Sequence, residues 1–164
     1  MGLKGKILNF KDKFLKTIKK LLTEGVSPEK LGITVMLGFL FGIIPIIGIN
    51  SIILAIIALR WRLNKVIIQI VNYAVYPLQL VLLVPFYKAG QWIFKSEGSM
   101  HISISSFSEL FSSNFPKAVS EFSFMLLEGI SVWILVSIPI GLLVYSGFVF
   151  FFKNLLVKVT VKRN

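Results

Sequence analysis

The stretch LGITVMLGFLFGIIPIIGINSIILAIIAL, from Leu31 to Leu59, carries no charged side chain and is interrupted near its middle by Pro45-Ile46-Ile47-Gly48. It is too long for one ordinary membrane span and too short for two. Pro45 removes a backbone donor and clashes with the preceding turn, and Gly48 can take the backbone angles of a tight reversal. The two arms, Gly32 to Ile44 and Ile49 to Leu59, each reach only about 20 Å or less at 1.5 Å per residue, short of a ~30 Å hydrocarbon core. A re-entrant helical hairpin is therefore expected. Lipid tolerates no exposed irregular backbone, so its apex must be covered by protein or face water.

The remaining chain fits that setting. Its 164 residues make about one domain, and 55% of them are hydrophobic. Mean hydropathy is +0.83. Three long uncharged stretches are more than a water-soluble domain covers with polar surface, so the composition predicts an all-α integral membrane protein. The formal charge of +11 sits at the ends of apolar segments and in the first thirty positions. That placement matches anionic lipid headgroups and the positive-inside rule, not nucleic acid. Cysteine is absent, which removes disulfides, thiolate metal sites and cysteine nucleophiles.

Upstream of the hairpin, Leu3, Ile7, Phe10, Phe14, Ile18, Leu21 and Leu22 recur at the spacing of one helical face, with Lys6, Lys13, Lys16, Lys19 and Lys20 lying off that stripe. Residues 1–27 are expected to form a basic amphipathic helix in the headgroup layer; the alternative packs the stripe against the protein's own membrane domain. Lysines interrupt every place an apolar signal core would sit, so no signal peptide is expected. Gly25 offers a helix stop, and Ser27-Pro28 an N-cap followed by proline at the first helical position. A helix should start at Pro28.

Downstream, Arg60-Trp61-Arg62-Leu63-Asn64-Lys65 reads as a short basic turn. Val66 to Tyr87 is uncharged and long enough to span. Its polar residues Gln69, Asn72 and Gln79, with Pro77 and Pro85, mark a protein-facing side and a kink or break near Pro77. A second re-entrant loop is the alternative here. The segment 88–129 is polar, serine-rich and slightly acidic, as expected of an external segment; Phe107 to Phe115 reads as one short amphipathic helix, and Pro116 starts another. Ile130 to Phe152 is a second span, interrupted by Pro139-Ile140-Gly141. The tail 153–164 holds Lys153, Lys158, Lys162 and Arg163.

Charge placement then decides the topology. If Leu31 to Leu59 crossed once, the turn at Arg60, Arg62 and Lys65 and the basic tail would both lie outside. A re-entrant hairpin puts every strongly basic segment, and both ends of the chain, in the cytoplasm. The layout of hairpin plus span, then amphipathic segment plus span, is the outline of an inverted repeat. Its sequence echo is thin: Gly32-Ile33-Thr34-Val35 against Gly129-Ile130-Ser131-Val132.

The core Gly38, Gly42, Pro45 and Gly48, the Arg-x-Asn at Arg62 and Asn64, and Asn72 followed by prolines and by Tyr87 to Gly90 together resemble the bacterial membrane family called domain of unknown function 2062. The likeness spans about Leu31 to Gly90. It implies a bacterial cytoplasmic (inner) membrane location and, because some relatives are fused to or lie near sugar-transfer enzymes, work on envelope lipid or glycan with a glycosyltransferase as a candidate partner.

No enzyme is expected, because the membrane segments contain no acid, histidine or cysteine to converge on a reaction. No metal or cofactor is expected, and the lone His101 reads as a loop residue. The leading expectation is a small transporter or lipid-translocating protein. Its substrate site would use Pro45, Gly48, Asn50, Asn72, Pro77 and Gln79 for neutral hydrogen bonds and opened backbone, and Arg60, Arg62, Asn64 or Lys65 to attract a phosphate-bearing substrate. Gly38 and Gly42 are expected to serve helix packing, facing the small residues Ala55 and Ala58 of the return arm. The chain is small for a transport path, so a homo-oligomer is expected. The alternative is a non-transporting scaffold that anchors an envelope-synthesis enzyme.

Overall fold

The structure is a computed structural model that describes residues 16–18, 20–21, 26–46, 48–95 and 113–161. Among these, regular structure is entirely helical: α1 (Pro28–Gly42), α2 (Asn50–Arg60), α3 (Lys65–Ala74), α4 (Tyr76–Phe94) and α5 (Phe115–Val161).

The start of α1 follows from its first residues. Ser27 is extended, its Oγ accepts from the Lys30 amide at 3.2 Å, and Pro28 occupies a position whose missing N–H loses nothing. Glu29 places a negative charge in the first turn, where the helix dipole favours it. The helix stops before Pro45, and Gly48 takes φ +100°, a backbone state that L side chains rarely adopt. The chain then reverses into α2, so Leu37 of α1 shares a core with Leu54 and Ala58 of α2, Leu63 and Ile68. The hairpin inferred from Pro45 and Gly48 is therefore present in the fold.

α1 is the hub, packed by α2, α3 and α5. On another side, Leu31 and Val35 meet Ile67, Phe152 and Ile18. Ile18 is fully buried, so the described part of the N-terminal helix packs on the protein's own helices, the alternative weighed for it above. Its remaining residues, and the stop at Gly25, lie outside the described residues.

The glycine face of α1 meets a different partner from the one expected. A Cβ at Gly38 would stand 2.8 Å from the Ile68 carbonyl, and one at Gly42 would collide with Val75 and crowd the Asn72 backbone. Gly38 and Gly42 thus admit α3 and not the return arm. The reason is that α3 is the element laid directly along this face, while Ala58 of α2 fills the core beside Leu37.

α3 and α4 are separated by a single residue, Val75, and bend by 58° there, which places the expected break just ahead of Pro77. α4 then runs on past Tyr87 to Phe94, continuing through Pro85.

The C-terminal half departs further from expectation. Asn114 accepts from the Lys117 amide at 3.2 Å and starts α5 beside Pro116, as the sequence implied. The helix then continues for 47 residues without a stop before Ile130 and without a break at Pro139. Pro139 deletes one backbone bond, but α5 is clamped on both sides of it. Trp133 donates to the Leu40 carbonyl at 2.9 Å, and Gly141 lies against Leu40 and Met36. The polar and apolar segments around Gly129 are accordingly one rod.

α5 lies antiparallel to α1. Gly32 faces Val149 and Tyr145, Leu40 meets Trp133, and Pro45 lies by Gly129. Within Phe115–Leu155 its most apolar 18-residue window has a mean hydropathy of 2.3, and only 6% of that window is buried in the protein. A core helix of a soluble protein would be mostly buried; this one offers its apolar surface outward, so the chain associates with a membrane through α5.

Candidate functional site

The break after α1 leaves carbonyls that no helix completes, and side chains from distant elements supply the donors. Gln79 Nε2, in the first turns of α4, donates to Ile44 O at 2.7 Å and Ile46 O at 2.9 Å. Tyr87 donates its hydroxyl to Pro45 O at 2.7 Å, and Trp133 reaches Leu40 O from α5. Gln79 is completely buried. The carbonyls of Ile44, Pro45 and Ile46 are thus satisfied by protein side chains, while Gly48 and Ile49 at the turn itself are exposed.

Beyond this strap opens a cavity of about 520 Å³ lined by Gly48, Asn50, Ser51, Asn72, Tyr73 and Tyr76. One hydrogen-bond network forms its polar wall. Asn72 Nδ2 donates to Ser51 Oγ at 3.1 Å and to Gln69 Oε1 at 3.5 Å, Ser51 Oγ donates to the Tyr73 hydroxyl at 3.3 Å, and Gln69 Nε2 donates to Ser51 O at 2.8 Å. Asn50 and Asn72 are 3% and 2% exposed, yet each keeps an amide oxygen with no partner. Buried acceptors left open in this way are uncommon in folded proteins. The first turn of α2 also has no side-chain cap.

Of the residues expected at a substrate site, the structure brings together Gly48, Asn50 and Asn72. Gln79, Pro45 and Pro77 belong to the strap and hinge beside them: Pro45 supplies a bonded carbonyl and Pro77 starts α4 just past the bend. Arg60, Arg62 and Asn64 do not join them. Asn50 and Arg60 occupy opposite ends of the 11-residue α2, about 15 Å apart along its axis.

Those three residues belong to a separate basic end. Asn64 caps α3, its Oδ1 accepting from Val66 N at 3.1 Å and Ile67 N at 2.9 Å, which explains the asparagine of the Arg-x-Asn pair locally. Arg62 adopts φ 52° in the turn before it. A shallow groove of about 190 Å³ there is lined by Val26, Lys30, Leu31, Thr34, Arg62, Leu63 and Asn64. Lys153 of α5 bonds Glu29 of α1 at 2.9 Å at the same end of those helices. Hydrogen bonding from Lys153 holds the Glu29 carboxyl below its ordinary pKa, and the same bond holds the Lys153 ammonium above its own.

Sequence reasoning missed Tyr73, Tyr76, Tyr87 and Trp133. Only Tyr87 carried a signal, through the Tyr-x-x-Gly pattern, and the structure accounts for that pattern: Tyr87 covers Gly129 while Gly90 admits Glu128. Glu128 was read as part of an external segment. Within the fold it is 9% exposed, in the seam between α4 and α5, with Oε2 unpartnered. Among the described residues no group of histidines and carboxylates could hold a metal.

A membrane-associated, all-helical protein built on a broken hairpin, with a polar cavity beside the break, is the class these features define. Residues 12–159 match the family described as an uncharacterized protein conserved in bacteria (DUF2062). The chain belongs to this family, and the match extends well beyond the Leu31 to Gly90 region where the motifs lie. No curated protein and no solved structure matches it.

Proposed function

We propose that this is a small multi-pass protein of the bacterial inner membrane that transports or translocates a lipid-linked or phosphate-bearing substrate of cell-envelope metabolism. The observation that carries the reading is the cavity at Gly48, Asn50 and Asn72, a pocket of neutral hydrogen-bonding groups beside a broken helix. Many transporters build their substrate sites from such discontinuous helices.

In this reading the hairpin enters from the cytoplasm and returns to it. Lys30, Arg60, Arg62, Lys65 and Lys153 lie at the start of α1, the end of α2, the start of α3 and the end of α5, which all meet at one end of the fold. By the positive-inside rule that end is cytoplasmic, with both chain termini, and it contacts anionic headgroups. The bent pair α3–α4 and the rod α5 are the two spans. An inverted repeat would relate the two halves only if residues 96–112, which lie outside the described residues, supply a break to match that at Pro45. The apolar outer faces of α2, α4 and α5 meet lipid or a second copy of the chain.

The test is flux. Protein reconstituted in liposomes should move a fluorescent short-chain polyprenyl phosphate or glycolipid between leaflets, and Asn72→Leu should abolish that movement. No movement of either probe by the wild-type protein overturns transport.

A second reading is favoured by the separation of the basic end from the cavity. Arg60 and Arg62 are exposed and do not reach it, so they are free to form a docking surface for an envelope glycosyltransferase on a protein that is purely a scaffold. In that case activity in cells would depend on Arg62 and be indifferent to Asn72.

A further inference from the structure

The cavity's own chemistry narrows what it takes. Its described lining residues, Gly48, Asn50, Ser51, Asn72, Tyr73 and Tyr76, carry no formal charge. The Asn72 amide nitrogen is committed to Ser51 and Gln69, which fixes the amide so that its oxygen is the open end. Asn50 Oδ1 is open too. The Ser51 and Tyr73 hydroxyls, 3.3 Å apart, share one hydrogen bond, which leaves the pair one O–H to donate. The two oxygens lie just inside the wall, with under 1 Å² of each accessible, and the reachable surface is one hydroxyl donor with the apolar rings of Tyr73 and Tyr76.

Such a lining disfavours phosphate. An anion would meet two amide oxygens, and among the described residues no cation lines the cavity, Arg60 lying at the far end of α2. A single metal ion would satisfy the oxygens but leave most of about 520 Å³ unfilled, whereas that volume falls in the range of pockets that hold small organic ligands. A group with several hydroxyl donors, acceptors of its own and apolar C–H faces matches every part of the wall.

Resting on the transport reading for its purpose but not for its geometry, we propose that the cavity binds an uncharged polyhydroxyl group, a polyol or sugar ring. That group is free in solution or is the head of an amphiphile. Any phosphate on the same substrate stays outside the cavity.

The experiment is equilibrium binding to the full chain in lauryldimethylamine oxide, a detergent without sugar. Radiolabelled octyl β-glucoside is used below its micelle concentration. Octyl phosphate, octanol, glucose and sodium chloride are the competitors. Saturable binding is expected, unaffected by octyl phosphate, octanol or sodium, and weakened about tenfold or more by Asn50→Leu or Asn72→Leu. Because either substitution touches the fold, Tyr76→Ala, at an exposed lining side chain, is run beside them and should also weaken it. Competition by glucose assigns the site to a free sugar or polyol, and its absence to a lipid-borne head; both support the proposal. Displacement by octyl phosphate or sodium, binding that all three variants retain, or no binding overturns it. Flux of a polyprenyl phosphate without glucoside binding leaves transport standing and removes this inference; glucoside binding without flux does the reverse.

Discussion

Gln79 donates from one amide nitrogen to the carbonyl of Ile44, 35 residues earlier in the chain, at 2.7 Å, and also to that of Ile46. A single side chain thus bridges two carbonyls at the break, that of Ile46 and that of Ile44, which also accepts from the Ile46 amide at 2.7 Å.

Replacing it should be among the most damaging changes in the protein. Gln79→Leu keeps the volume but strands the half-buried Ile46 carbonyl and removes one of the two bonds to the buried Ile44 carbonyl, at a cost of about 1–3 kcal/mol. Tyr87→Phe, which removes one bond to Pro45 O, should cost about 1 kcal/mol. Unfolding titrations in mixed micelles measure both. Equal stability of Gln79→Leu and wild type would show that the strap is dispensable.

Close packing of α1 on α3 makes a graded prediction for its glycines. Gly38→Ala meets the Ile68 carbonyl and Gly42→Ala meets Val75 and Asn72, so each should destabilise by about 1–3 kcal/mol. Gly147 has open space around it in α5, so Gly147→Ala should be neutral or stabilise by up to about 1 kcal/mol. Thermal unfolding of the three variants side by side gives the order, and a reversed order would mean that α1 and α3 are not in this contact.

The pair Glu29–Lys153 sets a pH dependence at the ends of stability. Glu29 titrates lower when folded, so its contribution is present above its unfolded pKa and fades as pH falls through the folded one. Lys153 titrates higher when folded, so its share is present below its unfolded pKa and fades as pH rises through the folded one. Between neutral and about pH 3, melting temperature should fall more steeply for wild type than for Lys153→Gln, and salt should erase the difference because both groups are exposed. Parallel curves would show that the pair adds nothing.

Topology is open to labelling because the chain has no cysteine. Single cysteines at Trp61, Ser99 and Thr160, probed in intact cells with an impermeant thiol reagent, should label from outside only at Ser99. Trp61 serves better than its neighbour Leu63, whose side chain is 8% exposed. External labelling at position 61 would mean that Leu31 to Leu59 crosses the membrane.

The turn before α3 separates charge from shape. Arg62 holds φ 52°, so Arg62→Gly should relieve about 1 kcal/mol of strain while removing the charge. A variant more stable than wild type yet deficient in cells would assign Arg62 to recognition; one that is less stable would contradict the strain. Asn64→Ala should lose about 1 kcal/mol through the missing cap.

The hairpin and the bend at Val75 were legible because local chemistry decides them. Ser27-Pro28 starts a helix, and Pro45 with Gly48 ends one, whatever packs nearby. Pro139 shows the limit of that logic. The same residue type within an apolar run leaves α5 unbroken, because Trp133 and Gly141 fasten the helix to α1 on either side, and that fastening is a tertiary fact. The cavity was half legible for a similar reason. Asn50 and Asn72 stand out as polar groups in apolar runs, but Tyr73 and Tyr76 become wall only when α3 folds back beside α2. Glu128 was hidden by its serine-rich neighbours, although its burial depends on Gly90, which lies in another helix.

At about 70 Å, the 47-residue α5 is more than twice as long as a hydrocarbon core is thick. It touches Gly90 and Pro45 at the adjacent Glu128 and Gly129, beside the break, and Glu29 through Lys153 at the basic end. Because α5 is unbroken between those contacts, a single helix ties the seam beside the break to the basic end, whereas α3 and α4 meet at 58° across the one residue Val75.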